Sequence, residues 1–231
     1  IEERSGVVPS TSWKKKYIGQ NWYLGETLHS GIGQGYFLST PMQLCLMSAQ
    51  IANGGYKVKP RIIFDKDDKN NNLKEYIEYK NNNPDKTIST DILLSNFKLK
   101  TLFRNQENIN FVKDAMFAST NEPGGTSYKS RLKDKKFIFA GKTGSSQVKR
   151  FTEAQREAEI KQSELDYKDR DHALYIAFAP YENPKYSISV VIEHGGSGSS
   201  SAAPIAKKVI KKVLERHEIR MAQSNNIGEE I

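Results

Sequence analysis

The sequence predicts an α+β fold in which three antiparallel strands are flanked by helices. Three observations predict it. The segments Lys136–Val148, Ala173–Pro180 and Tyr186–Glu193 are rich in β-formers and apolar residues. The last two are separated by only five residues, Tyr181–Lys185, with Pro184 among them, so they are expected to be antiparallel neighbours. From Ala203, with Pro204 at its start, Ile205, Val209 and Val213 recur on one helical face and predict a closing helix packed on the sheet.

The elements follow in chain order. Residues 1–35 mix Gly, Pro and aromatics and read as loop, ending in Gly31-Ile32-Gly33-Gln34-Gly35. Glycines at every second position permit sharp turns. A phosphate-binding loop would need a preceding strand and other spacing. A helix then starts cleanly. Thr40 is its N-cap, Pro41 its first residue and Gln43 the far half of a capping box. Leu44, Met47 and Ile51 share its expected core face, and Asn53-Gly54-Gly55 stops it. Tyr56–Phe64 alternates like a short extended segment. Residues 65–108 are polar and rich in Asn, as a peripheral insertion would be.

A second helix is expected over Asn110–Ser119, with Val112, Ala115, Met116 and Ser119 at helical spacing. Pro123-Gly124-Gly125 breaks it. The charged stretch 149–170 reads as a solvated or amphipathic helix, Gly195–Ser201 as a Gly/Ser loop, and 222–231 as a frayed tail.

Composition excludes several classes. The net charge is +8 and the pI near 9.3, which attracts anionic polymers and surfaces. No aromatic-interleaved basic stripe accompanies the charge, so no nucleic-acid partner is expected. A single cysteine, Cys45, forbids an intrachain disulfide and sits in an apolar run as a small hydrophobe. No apolar stretch is long enough to span a membrane. His29, His172, His194 and His217 lack metal-ligand spacing, and His172, opening a strand, reads as structural.

The motif that carries chemistry is Gly141-Lys142-Thr143-Gly144-Ser145, at the end of an apolar strand. Side chains alternate along a strand, so Thr143 and Ser145 share one face and Lys142 takes the other. Gly144 leaves room beside the strand. The triplet alone is a short match, and its context extends it. Upstream stand Trp22-Tyr23-Leu24-Gly25-Glu26-Thr27, the Gly31–Gly35 block, Ala52-Asn53-Gly54-Gly55 and Val58-Lys59-Pro60-Arg61. Nearer the strand lies Gly124-Gly125-Thr126. Downstream lie Arg170-Asp171-His172-Ala173-Leu174, Phe178-Ala179-Pro180-Tyr181 and Val191-Ile192-Glu193-His194-Gly195-Gly196.

These blocks resemble class B penicillin-binding proteins, and within them the elongation-associated branch, penicillin-binding protein 2. The resemblance covers most of the chain outside 65–108. It implies the C-terminal half of the penicillin-binding protein transpeptidase fold, which is β-lactamase-like, with the Ala173 strand in the middle of the sheet. It implies acyl transfer through a serine ester, cross-linking peptidoglycan stem peptides and accepting β-lactams as substrates. Lys142 would supply positive charge in the catalytic network. Thr143 and Ser145 would hold the terminal carboxylate of a D-alanyl-D-alanine stem, with Gly144 between them. The Ser145 N–H would be half of the oxyanion hole. No metal or organic cofactor is implied. The implied partners are a SEDS-type glycan polymerase and an elongation-complex scaffold. The implied location is the periplasmic side of the bacterial inner membrane.

The resemblance also implies absences. The family's Ser-x-x-Lys and Ser-x-Asn motifs stand well before the glycine block. The nucleophile and the membrane anchor are therefore expected upstream of Ile1, and the isolated chain is expected to be inactive. The Ser-x-x-Lys matches here are Ser12/Lys15, Ser95/Lys98, Ser130/Lys133 and Ser146/Lys149. Ser95/Lys98, Ser119/Asn121 and Lys142 fall in the family's order, yet their spacings leave no room for the helical subdomain that carries the first two motifs. Two other readings stay open: a non-catalytic cell-wall scaffold fragment, and a β-lactamase or D,D-carboxypeptidase. The Gly31–Gly35 block favours the transpeptidase over the hydrolase.

Overall fold

The computed structural model describes residues 4–58, 60, 102, 104–149, 151–153, 157–158 and 160–228, with side chains to 223. The elements are α1 (Thr11–Tyr17), α2 (Leu24–Gly31), α3 (Pro41–Ala52), α4 (Gln106–Asn121), β1 (Ala140–Ser146), β2 (His172–Ala179), β3 (Tyr186–Ile192) and α5 (Ala203–Gly228). The fold is α+β, and its sheet runs β1-β2-β3, antiparallel throughout, with β2 central as expected. Thr143 lies opposite Tyr175, and Tyr175 opposite Val190.

Each face of the sheet has its own core. On one, Phe139, Ala173, Tyr175 and Ala177 meet Ala203, Ala206, Ile210 and Leu214 of α5. On the other, Ala140 and Phe178 meet Ile51 and Ala52 of α3 and Met116 of α4. Tyr181, just past β2, ties this layer together. Its ring centre lies 4.7 Å from that of Phe117, tilted by 45°, and its hydroxyl donates to Asp114 at 2.5 Å. Burial and the Asp114 carboxylate push the Tyr181 hydroxyl up to about 12.

The start of α3 forms as read. The Thr40 hydroxyl accepts from the Gln43 N–H at 3.2 Å and the Gln43 side chain accepts from the Thr40 N–H at 2.9 Å. Its buried face matches the expected one only in part, at Ile51. Ser48, Ile51 and Ala52 are buried, whereas Met47 is exposed. Small side chains let the helix approach β3 closely, where the Ser187 hydroxyl donates to the Cys45 carbonyl at 2.9 Å. Cys45 is half-buried there. The same displacement occurs twice more. α4 buries Ile109, Met116 and Thr120 while Val112 is exposed, because its packed side is the one against β1. α5 buries Ala203, Ala206, Ile210 and Leu214 while Ile205 and Val209 are exposed. In α5 the alanines Ala203 and Ala206 make the contact with the sheet together with Ile210 and Leu214.

Four expectations about element boundaries differ from the structure. β1 begins at Ala140, because Asp134 accepts from the Lys136 N–H at 3.0 Å and folds Lys135–Phe137 into a 3₁₀ turn. In 149–170 the helix is confined to the first part, where residues 153 and 157 are helical and 154–156 lie outside the described residues, and two 3₁₀ turns follow, Gln162–Glu164 and Tyr167–Asp169. Of the Gly195–Ser201 loop, Gly198–Ala202 is a π-helical turn leading straight into α5. α5 itself continues to Gly228, into the segment read as a tail. Most of 65–108, including Ser95 and Lys98, lies outside the described residues, as do residues 61–64 of the extended segment.

Residues 1–35 are also more ordered than a loop, since α1 and α2 both lie there. Each is too short to show periodicity in sequence. What fixes them is an ion pair. Lys14 is 1% exposed, donates to the Asn21 carbonyl at 2.8 Å and pairs with Glu26. Its ammonium also lies 4.5 Å from the centre of the Tyr23 ring. The Glu26 carboxylate reaches back to the Tyr23 N–H at 2.8 Å. The Lys14 hydrogen bond, with that of Tyr23 behind it, holds the Glu26 carboxyl below its ordinary value of 4.5. A carboxyl depressed in the fold contributes stability above its unfolded value, and that contribution is lost as pH falls through the folded value. Glu26→Gln should therefore lower the melting temperature near neutrality, and the difference from the parent should vanish in acid well below pH 4.5. A gap that persists unchanged in acid would assign Glu26 a packing role.

Candidate active site

The four residues singled out from sequence, Lys142, Thr143, Gly144 and Ser145, all lie on β1, an edge strand. Thr143 and Ser145 stand opposite Tyr175 and Ala173, which point into the α5 core. Lys142 stands opposite Ile176, on the α3–α4 side. The alternation read from sequence is therefore present. Lys142 and Ser145 are exposed, and Thr143 and Gly144 are partly buried.

Among the described residues, the outer edge of β1 is held at its start. The Gly141 N–H donates to the Thr120 hydroxyl at 3.0 Å, away from β2. Backbone groups of an edge strand alternate sides, so the N–H and C=O of Thr143 and Ser145 also point away from β2. The Lys142 ammonium folds back and donates to the Thr143 carbonyl at 2.8 Å. The Ser145 N–H therefore faces the open edge, beside a cation and two hydroxyls.

A buried hydroxyl cluster fixes the start of the strand. Thr120, Ser127 and Tyr175 are each at most 1% exposed and lie within 3.0–3.2 Å of one another. Gly141 has room for this cluster because it has no side chain. A Cβ there would overlap the Tyr175 hydroxyl and sit 2.8 Å from the Ile176 carbonyl oxygen. Burial pushes the Tyr175 hydroxyl up, against the pull of its bonds to Ser127 and Thr120, so it stays a neutral donor.

A second, more exposed chain reaches Thr143. The Ser119 hydroxyl lies 3.1 Å from that of Thr126, which lies 3.2 Å from that of Thr143. The two chains run in parallel from the end of α4, across the Pro123–Gly125 turn, to β1. Sequence reading took that turn as a breaker and Gly124-Gly125-Thr126 as one block of the resemblance, and missed Thr120, Thr126 and Ser127 as supports of the strand. A usable signal was present: Ser119-Thr120 and Thr126-Ser127 flank the turn at seven-residue spacing.

The inner side of Gly144 is supported by the loop before α5. A Cβ on Gly198 would lie 2.7 Å from the Gly144 carbonyl oxygen and 2.5 Å from that of Leu174. Gly198 thus lies flat on the strand behind Gly144. At Gly144 itself a Cβ would meet only Leu174, at 3.4 Å, so within the described residues the close approach falls at Gly198. His172 braces this loop, as its structural reading expects. Its Nδ1 accepts from the His194 N–H at 2.9 Å, where His194 has φ 54°.

The Ser-x-x-Lys matches that can be seen do other things. Ser12 bonds to Ser10 at 3.0 Å on exposed α1. Ser130 is buried in a 3₁₀ turn. Lys149 pairs with Asp169 at 2.5 Å, away from Ser146. Asn121, of the Ser-x-Asn match, donates to the Phe117 and Phe139 carbonyls. Among the described residues no group of three or more His, Cys, Asp or Glu could hold a metal ion, and no helix is long and apolar enough to cross a membrane.

Comparison with known proteins gives the family. The penicillin binding protein transpeptidase domain family matches residues 2–211. The peptidoglycan D,D-transpeptidase MrdA of Salmonella typhimurium is 30% identical over 93% of this chain and 31% of its own length. Penicillin-binding protein 2 of Helicobacter pylori, solved in complex with MreC, superposes with TM-score 0.67 at 27% identity, over 93% of this chain and 32% of that one. Penicillin-binding protein 2 of Pseudomonas aeruginosa, solved in complex with WCK 5153, superposes with TM-score 0.63 at 30% identity, over 92% of this chain and 39% of that one. The chain spans about a third of the length of the relatives it matches. By family match, relatives and fold, the chain belongs to the penicillin-binding protein transpeptidase family.

Proposed function

We propose that residues 1–231 are the C-terminal part of a transpeptidase domain in a peptidoglycan D,D-transpeptidase of the penicillin-binding protein 2 type. One observation carries the reading: an edge strand that brings the Lys142 ammonium to its open side, carries Thr143 and Ser145 on one face and turns the Ser145 N–H outward. Acyl transfer from a D-alanyl-D-alanine stem needs these groups together. The hydroxyls and the cation receive the terminal carboxylate, and an extended stem peptide can lie along the strand edge. The Ser145 N–H receives the negative charge that develops on the attacked carbonyl oxygen. Lys142 lowers the cost of that charge and of proton movement at the nucleophile.

The nucleophile itself we assign to a serine outside these residues, because the serines of the visible Ser-x-x-Lys pairs serve as surface or packing groups. β-Lactams would acylate the same serine. The chain would work on the periplasmic side of the inner membrane. A scaffold protein would be among its partners, as MreC is for the Helicobacter relative, and a SEDS-type polymerase would supply its glycan. The experiment is labelling with fluorescent penicillin. Joined to the upstream half of the domain, the chain should take one label that survives denaturation, and alone it should take none. Rapid release of the label as penicilloic acid would instead favour a hydrolase.

A further inference from the structure

We infer that Thr126 is a positioning residue for the carboxylate end of the substrate, acting through Thr143. The inference rests on the reading of Thr143 as a carboxylate-binding hydroxyl.

Three hydroxyls form an unbranched chain: Ser119 to Thr126 at 3.1 Å, then Thr126 to Thr143 at 3.2 Å. Each hydroxyl has one proton to give. A carboxylate can only accept. When Thr143 donates its proton to a carboxylate, its bond to Thr126 survives only if Thr126 becomes the donor. Thr126 then has no proton left for Ser119, so Ser119 must donate to it. One direction alone satisfies all three bonds: Ser119 to Thr126 to Thr143 to the anion. Donors aligned head to tail polarise one another, so the last bond, to the anion, is strengthened.

The backbone holds the chain in place. Thr126 follows Gly125, whose Cβ, if present, would lie 2.6 Å from the Ala118 carbonyl oxygen, so the turn is pressed against the end of α4. Beside Thr126, the Ser127 N–H donates to the Ser119 carbonyl at 3.0 Å. Ser119 and Thr126 are thereby fixed relative to each other before any ligand arrives. The buried Thr120–Ser127–Tyr175 cluster holds the strand, and the exposed chain aims one hydroxyl on it.

The test uses the chain joined to its upstream half and compares acylation by benzylpenicillin with acylation by its methyl ester, which lacks the anion. Thr126→Val keeps the shape and removes the hydroxyl. It should slow benzylpenicillin about tenfold, the scale of one lost hydrogen bond. The loss should appear as weaker binding before acylation, not as a slower chemical step. The methyl ester should react with parent and variant alike. Thr126→Ser should restore the parent rate, and Ser119→Ala should give a smaller loss of the same kind. Equal losses for acid and ester, or no loss for either, would overturn the inference. Thr143→Val is the control on the underlying reading. If it selectively slows the acid while Thr126→Val does not, only the role of Thr126 fails. If it too shows no selective loss, the assignment of the carboxylate site falls, and the inference with it.

Discussion

Lys142→Ala, in the chain joined to its upstream half, should cut the second-order rate of acylation by penicillin about 10²–10³-fold, the scale of removing a charge-stabilising group from an acyl-transfer site. The expectation follows from where Lys142 sits. It is exposed on β1, and among the described residues its ammonium donates to the adjacent Thr143 carbonyl. It supports no core, so the variant should keep the parent's melting temperature. Ser145→Ala should cost less, because the backbone N–H that faces the open edge remains. A lost hydrogen bond to a charged group is about 1.5–3 kcal/mol. His172→Ala should act the other way round. Its ring accepts the His194 N–H and braces the loop behind Gly144, so stability should fall more than acylation. The check is acylation rates and melting curves on the same three samples. Parent-rate acylation by a folded Lys142→Ala protein would strip the edge strand of its chemistry.

The largest effect on stability should come from Gly141→Ala. The added methyl would overlap the Tyr175 hydroxyl and approach the Ile176 carbonyl oxygen to 2.8 Å. Neither can yield cheaply. Tyr175 is fully buried, hydrogen-bonded to Thr120 and Ser127 and packed in the α5 core. Ile176 O belongs to the central strand. Overpacking of this kind costs about 3 kcal/mol or more when the neighbours cannot move. At this chain length that lowers the melting temperature by roughly 6–12 °C. Gly144→Ala is the contrast, since its methyl would meet only Leu174 at ordinary contact distance. Thermal melts of the two variants check this. Equal melting temperatures would mean that Tyr175 can vacate its place.

The sheet was legible in sequence because its signals are local. A short turn fixed the β2–β3 pairing, and runs of β-formers marked all three strands. The start of α3 was legible for the same reason, since Thr40, Pro41 and Gln43 act within one turn. The buried faces of α3 and α4 were legible only in part, at Ile51 and Met116, and that of α5 was not. Hydrophobic periodicity ranks large side chains first, whereas here Ser48, Thr120, Ala203 and Ala206 make the contact and Met47, Val112 and Val209 stay outside. α1 and α2 escaped because their anchor, the Lys14–Glu26 pair, is a tertiary contact between two polar residues. The site divides likewise. Lys142 to Ser145 could be read as a contiguous motif. The hydroxyls that support it come from the end of α4, the turn after it and β2, and only the folded chain brings Thr126 to Thr143 and Gly198 to the back of Gly144.

The central claim is that this chain supplies the edge strand of an acyl-transfer site whose nucleophile lies elsewhere. Locating the penicilloyl adduct tests it most directly. The isolated chain and the chain joined to its upstream half are each treated with penicillin, digested, and read by mass spectrometry. The expected result is no adduct on residues 1–231 in either sample, and one stoichiometric adduct on a serine upstream of Ile1 in the joined protein. A stoichiometric adduct on a serine within the chain, at Ser12, Ser95, Ser130 or Ser146, would contradict the claim.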